Sequence, residues 1–214
     1  RHKWVTDPLH QWSRQWEYPF VFSKIRDYAA LHSKRPLKIL DAGSGITFFP
    51  YFLEETLRNA AVTCCDSDSM LATLFPKINA KNKKGVCFVK SDIGQMDFEP
   101  KSFDIIYCIS VLEHTTNYPY ILKELARVLK KGGLLILTFD ISLDGRSDIT
   151  IDKLGSFVTG LKTFLTPKQE ASFSDLLDRT KLFSPDIVTT KFISVWRKSL
   201  LPWKYPLLSS VLAA

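Results

Sequence analysis

From Leu37 to Phe139, short apolar runs alternate with longer segments of helical spacing, and no other feature of this sequence constrains its fold as much. The runs are Lys38–Asp41, Ala61–Cys65, Val86–Val89, Phe103–Ile109 and Leu134–Phe139. Each is apolar at successive positions and partly β-branched or aromatic, the composition of parallel strands covered on both faces. Between them, Phe48–Arg58, Ser69–Phe75 and Tyr118–Leu129 read as helices. In the last of these, Ile121, Leu122, Leu125, Val128 and Leu129 form one stripe, and Lys130-Lys131-Gly132-Gly133 follows as a stop signal. Cations suit the carbonyl end of a helix, and glycine suits the left-handed turn beyond it. Alternating β and α units with right-handed crossovers predict an α/β domain, a doubly wound and mostly parallel sheet with helices on both faces.

The flanks are read less sharply. Residues 1–36 form an N-terminal helical cap rich in Trp4, Trp12, Trp16, Tyr18 and Phe20. One or two helices span Gln11 to Leu31, interrupted near Pro19 and ended by Arg35-Pro36, since the residue before proline is pushed out of the helical region. Residues 141–166, after the fifth strand, read as a lid insert made of a loop with a short helix. Thr166 and Pro167 then start a helix to Leu182, with Thr166 as N-cap and Gln169 at its third position. Ile187–Trp196 is a further strand candidate, and the tail from Ser199 is apolar but broken by Pro202 and Pro206. The domain therefore covers 37–196, with its core at 37–140 and a tail at 197–214.

Chemistry concentrates in Leu37-Lys38-Ile39-Leu40-Asp41-Ala42-Gly43-Ser44-Gly45-Ile46-Thr47, where a strand ends in an acid and enters a glycine turn before a helix. Glycines let a backbone approach a ligand, and open sheets bind ligands at the carboxyl ends of their strands. A dinucleotide would want a third glycine where Phe48 stands, and Asp41 would repel its pyrophosphate while suiting a cationic amino-acid group. Asp66 closes the second strand, where an acid can accept both hydroxyls of a ribose. Asp92 follows the third strand and is placed to accept from an adenine amino group, with Ile93 offering its N–H and an apolar face. A Ser102-to-His114 segment and a Leu129-to-Ile136 segment introduce the fourth and fifth strands.

These segments together resemble the class I S-adenosylmethionine-dependent methyltransferases over residues 37–140, about half of the chain. The resemblance implies a Rossmann-like fold and S-adenosylmethionine as cofactor, with S-adenosylhomocysteine as product. It implies that Asp41 and the Gly43, Ser44 and Gly45 backbone hold the methionine end. Asp66 and Ser67 fall to the ribose, Asp92 and Ile93 to the adenine, and the Ile109-Ser110 backbone to the sulfonium. Thr47 departs from the family pattern, in which many members carry another small glycine. His114 is a candidate general base for a hydroxyl acceptor, with Glu113 second, and a structural role for His114 stands beside that reading. Methyl transfer from a sulfonium is an in-line displacement, so positioning can do most of the work.

The expected acceptor is a small or medium-sized molecule, glycan and lipid-linked ones included, methylated on O, N or C. Nucleic acid is the rival, because 29 Lys and Arg stand against 22 Asp and Glu, a formal charge of +7. Against it, Ser110-Val111-Leu112-Glu113 stands where base-amino methyltransferases place an Asn/Asp-Pro-Pro-aromatic turn. The surplus charge gathers at 1–38, 77–90 and 191–204, away from the three acids. A binding-only domain and a nicotinamide-dependent dehydrogenase are further alternatives, the latter weakened by the missing glycine. Cys64, Cys65, Cys87 and Cys108 sit in strand-like runs without metal-ligand spacing, so they read as buried free thiols of a reducing, cytoplasmic compartment, and no metal site is expected. The chain begins at Arg1, as a trimmed fragment would, with no signal peptide visible. No run is long enough to span a bilayer. Cations and aromatics at 196–206 suit peripheral membrane contact, with docking on the domain itself or on a second subunit as the alternative.

Overall fold

All five apolar runs become strands: β1 (Leu37–Ala42), β2 (Ala60–Asp66), β3 (Cys87–Lys90), β4 (Phe103–Ile109) and β5 (Leu129–Ser142). This is a computed structural model that describes residues 14–82, 85–142, 149–167 and 207–213. The five strands lie parallel in the order β3-β2-β1-β4-β5, so the chain reverses its direction of travel across the sheet between β1 and β4. That is the switch point at which such sheets open a crevice.

Alternate residues of each strand feed two separate cores. Leu40, Ala42, Cys65, Ile106, Cys108, Leu135 and Leu137 face one layer. It is completed by α4 (Tyr118–Val128) and α5 (Ile151–Phe164). Ile39, Cys64, Ile105, Tyr107, Leu134 and Ile136 face the other. There they meet α1 (Arg14–Leu31), α2 (Phe49–Thr56) and α3 (Leu71–Asn79). The expected doubly wound sheet is thus present, and Cys64 and Cys65 point to opposite faces. Cys64, Cys65 and Cys108 are buried free thiols, whereas Cys87, expected to be buried, is exposed on β3.

Several local expectations are corrected. Pro19 does not interrupt the first helix, which runs unbroken through it. Proline inside a helix costs about 3 kcal/mol. Here Pro19 is exposed, while Glu17, Tyr18, Val21 and Ile25 around it are buried. The glycines after α4 do not cap it either. The helix stops at Val128, and Leu129 is already extended. Phe103 pairs with Leu129 and Ile105 with Leu134, so Lys130–Gly133 bulge out opposite Asp104. Gly133 packs so closely that a Cβ would sit 2.8 Å from the Lys130 carbonyl and 2.9 Å from that of Asp104.

That bulge serves a charge cluster at the opposite end of the sheet from the switch-point crevice. Asp104, buried at the second position of β4, accepts from the Lys38 N–H at 2.9 Å, from Lys130 Nζ at 2.9 Å and from Arg35. Burial pushes its carboxyl up, but the Lys38 N–H and the two cations outweigh that and hold it below the usual carboxylate range. The acid fastens the first turns of β1, β4 and β5 to one another.

Residues 149–166 are more regular than a lid with a short helix. A two-residue strand, β6 (Ile149–Thr150), pairs with the end of β5, and Thr150 Oγ1 caps α5 by accepting from the Lys153 N–H at 3.3 Å. Leu154, Phe157 and Leu161 recur on one face of α5 and are buried against the sheet layer. Thr166 and Pro167, expected to begin a helix, instead pair antiparallel with the tail as β7 (Thr166–Pro167). The tail itself forms β8 (Leu207–Ala213), antiparallel to β5. Pro202 and Pro206 precede that strand, so neither removes a donor from its ladder. The helix expected to Leu182, the strand Ile187–Trp196, the basic aromatic segment 196–206 and most of the cap before Arg14 lie outside the described residues. Among the described residues no helix is long and apolar enough to cross a membrane.

Candidate functional site

At the carboxyl end of β1, Asp41 leads into a turn that is tied to β2. The Gly43 and Ser44 N–H groups both donate to the Cys65 carbonyl, at 2.9 and 3.0 Å. Gly43 has φ +74°, and a Cβ there would stand 2.6 Å from Val111 Cγ2, so both its conformation and its surroundings call for glycine. The Gly45 N–H donates to Asp66 Oδ2 at 2.9 Å, and the Asp68 N–H donates to Asp66 Oδ1 at 3.0 Å. Asp66 is thereby turned toward the glycine turn from the end of the neighbouring strand.

A cavity of about 150 Å³ opens at the switch point between β1 and β4. Asp41, Gly43, Ser44 and Gly45 line it from β1 and its turn, with Thr47 and Phe49 at the start of α2. Tyr107, Ile109 and Ser110 line it from β4, and Arg14 and Tyr18 from the first turns of α1. Of these residues Asp41 is the one acid and Arg14 the one cation. Burial pushes the Asp41 carboxyl up to about 7, with the charge of Asp66 adding to the rise, while Tyr107 and Arg14 oppose it. Burial, then the charge of Asp41, push the Tyr107 hydroxyl well above its ordinary range, so it stays protonated. Burial also pushes Tyr18 up to about 12, against the pull of Arg14 and of its hydrogen bond with Thr47.

The wall on the β4 side is strained. Ser110 follows the strand with φ +48°, a left-handed conformation that costs a non-glycine residue about 1–3 kcal/mol. Its N–H donates to the Thr138 carbonyl of β5 at 2.9 Å, and its hydroxyl donates to Glu17 of α1 at 2.7 Å.

Residues 40–137 match the family model of a methyltransferase domain. Over 102 residues the chain is 32% identical to a demethylmenaquinone methyltransferase of Lactococcus lactis, 47% of this chain and 40% of that protein. The chain spans less than half the length of the first curated relatives it matches. Other relatives are named for sterol and for tRNA substrates. The fold superposes with a TM-score of 0.67 on a candidate sarcosine dimethylglycine methyltransferase from Galdieria sulphuraria, at 17% identity over 98% of this chain and 91% of that one. It superposes with a TM-score of 0.61 on Haemonchus contortus phosphoethanolamine N-methyltransferase 2 crystallised with S-adenosylmethionine, at 15% identity over 88% and 52%. Residues 40–137 are thus similar to methyltransferase domains, and the fold is one shared with methyltransferases of known structure.

Around the cavity the expected residues divide into two sets. Asp41, Gly43, Ser44, Gly45, Ile109 and Ser110 are gathered around the cavity. Asp66 adjoins it through the Gly45 N–H, and Ser67 follows on the exposed surface. Asp92 stands apart, exposed at the end of β3, where its Oδ1 accepts from the Gly94 N–H at 2.7 Å. Ile93 turns its side chain into the core, which leaves only its backbone for a ligand. His114 is exposed on a 3₁₀ turn, Leu112–His114, with Glu113 buried beneath it, and neither lines the cavity. Met70 and Leu71, which the sequence places after β2 as either adenine-pocket lining or helix core, divide: Leu71 is core, while Met70 is exposed.

Tyr107, in the cavity wall, and Glu17, bonded to the lining residues Arg14 and Ser110, are residues that sequence reasoning did not single out. Tyr107 lay inside a run read only as a buried strand. Glu17 carried a signal: an acid between Trp16 and Tyr18, on a helix otherwise rich in aromatics.

Proposed function

We propose that this protein is an enzyme that moves a methyl group from S-adenosylmethionine to a small or medium-sized acceptor. The observation that carries the reading is the cavity at the switch point, which pairs one carboxyl, Asp41, with one guanidinium, Arg14, beside a turn whose Gly43 leaves no room for a Cβ against Val111. An α-amino-acid group bears an ammonium and a carboxylate, and that pair of charges fits this wall. At about 150 Å³ the cavity is below the 300–1,000 Å³ usual for whole ligands, so it suits one end of the cofactor rather than all of it.

In this reading Asp41 accepts from the ammonium and Arg14 meets the carboxylate of the methionine end. Asp66 and Ser67, at the end of β2, serve the ribose. Asp92 and the Ile93 N–H, at the end of β3, serve the adenine. Bound there, the cofactor supplies an electrophilic methyl on sulfur. Tyr18, Phe49, Tyr107 and Ile109 exclude water from the cavity, and Ser110 holds the strand end that faces the reacting group. The chain needs no base for an in-line displacement. His114, exposed on the 3₁₀ turn that follows Ser110, is reserved for acceptors that must lose a proton. Lipid-linked and glycan acceptors fall within this class, and nucleic acid is the rival.

Isothermal titration of the protein with S-adenosylmethionine and S-adenosylhomocysteine tests the cofactor, and no heat of binding at millimolar ligand sinks the reading. A gel-shift series with RNA at falling salt tests the rival, since phosphate contacts give steeply salt-dependent binding.

A further inference from the structure

We infer that Glu17 is the positioning residue of this cavity, a carboxylate of α1 that fixes both Ser110 and Arg14 in the places a ligand requires. Its Oε1 accepts from Ser110 Oγ at 2.7 Å and from Thr138 Oγ1 at 2.5 Å. Its Oε2 accepts from Arg14 Nη1 at 2.5 Å. One side chain therefore joins the first turns of α1 to the ends of β4 and β5. Two of the residues it holds, Arg14 and Ser110, line the cavity.

The energetics make a merely space-filling role a poor account of it. Glu17 is wholly out of contact with water. A buried carboxylate costs more than an apolar side chain of similar volume unless each lone pair is met, and an apolar residue would pack α1 at less expense. What an apolar residue would not do is hold Ser110 in a left-handed conformation. The main chain supplies one bond there, from the Ser110 N–H to the Thr138 carbonyl. Glu17 adds a second link between the same two residues through their hydroxyls, which pins the strained position from the side-chain direction as well. It also fixes the Arg14 guanidinium, which lies over the Tyr18 ring at 6.0 Å from its centroid.

The inference rests on the cofactor reading for its ligand but not for its geometry, and the test separates the two. Glu17→Gln and Glu17→Leu are made in the full chain. Hydrogen exchange is followed without ligand in peptides covering 14–22 and 108–114, with peptides of β1 and β2 as internal reference. Exchange rises in both test segments and stays unchanged in the reference. Titration with S-adenosylhomocysteine then shows affinity weakened about tenfold for Gln and more for Leu, the equivalent of losing one or more charge-assisted hydrogen bonds. A purely structural glutamate would lower the melting temperature and leave the affinity of the folded variants unchanged, and that result overturns the inference. If Leu fails to fold, the near-isosteric Gln carries the test. If the wild-type chain does not bind S-adenosylhomocysteine, the cofactor reading fails. The exchange measurement still decides whether Glu17 positions the two segments, and equal exchange in variant and wild type refutes it.

Discussion

Replacing Asp41 with asparagine separates what this carboxyl costs the fold from what it contributes to binding. The unfolded chain releases the Asp41 proton around 3.8, and the folded protein around 7. Between those values the folded state holds a proton that the unfolded state has lost, so stability declines as pH rises, at about 1.4 kcal/mol per pH unit. Below 3.8 both states are protonated and the contribution is fully present; above 7 both are ionised and the decline stops. Over an interval of about three units the loss comes to about 4 kcal/mol. The asparagine side chain of the variant does not titrate. Urea unfolding of wild type and Asp41→Asn from pH 4 to 8.5 should therefore give a stability difference that falls by about 4 kcal/mol up to neutrality and is level beyond it. Other groups titrate alike in both proteins and drop out of the difference. A difference that stays constant across the range refutes the argument that burial holds this proton. Ligand binding should run the opposite way. An ammonium favours the ionised carboxylate, so wild-type affinity for S-adenosylhomocysteine should rise about tenfold per unit up to about pH 7 and then level. The variant should bind weakly at every pH. A flat wild-type profile would remove Asp41 from the ammonium.

Other substitutions probe separate parts of the structure. Gly43→Ala forces a Cβ against Val111 and strains a positive φ. It should cost about 2–3 kcal/mol in chemical denaturation and abolish S-adenosylhomocysteine binding. Adding Val111→Ala should return part of the stability, and equal stabilities of single and double variants would refute the contact. Asp104→Asn leaves Arg35, Lys130 and the Lys38 N–H facing a neutral group and should cost about 3 kcal/mol near neutrality. Because the wild-type carboxyl is held below its ordinary range, that advantage should be complete above about pH 4 and disappear as pH falls through the lowered value. An advantage that persists in strong acid would refute the ion cluster. Gly133→Ala presses a methyl on two backbone carbonyls and should lower the melting temperature, whereas the same change at Gly155, with nothing within 4 Å, should not.

The inner parallel strands were legible because they are buried on both faces, which writes a continuous apolar run into local sequence, whereas β3 at the sheet edge is only partly covered and kept a short apolar run. The Asp41–Gly45 turn was legible for a related reason. Its glycines answer a local steric demand, and its acid sits at a position set by the end of a strand. The limits lay where a residue answers to something distant or where two elements share a composition. The Lys130–Gly133 bulge reads as a helix stop, since the same cations and glycines serve either purpose. The strand Leu207–Ala213 hid behind two prolines that precede it. Helix α5 hid behind Gly155 and Gly160, because the stripe of Leu154, Phe157 and Leu161 acquires meaning only against the sheet. Asp104 falls at the start of a strand in the sequence, but its partners Arg35, Lys38 and Lys130 reach it only once the sheet has formed. Glu17 is the extreme case, with Ser110 lying 93 residues away and Thr138 lying 121 residues away. By itself the sequence determined the alternation of strands and helices and the chemistry of the glycine turn, because both are local consequences of burial and backbone sterics. Only the tertiary structure decided that α1 supplies the cavity with its cation and holds that cation with the buried Glu17, because desolvation and long-range hydrogen bonds exist only once distant segments have packed together.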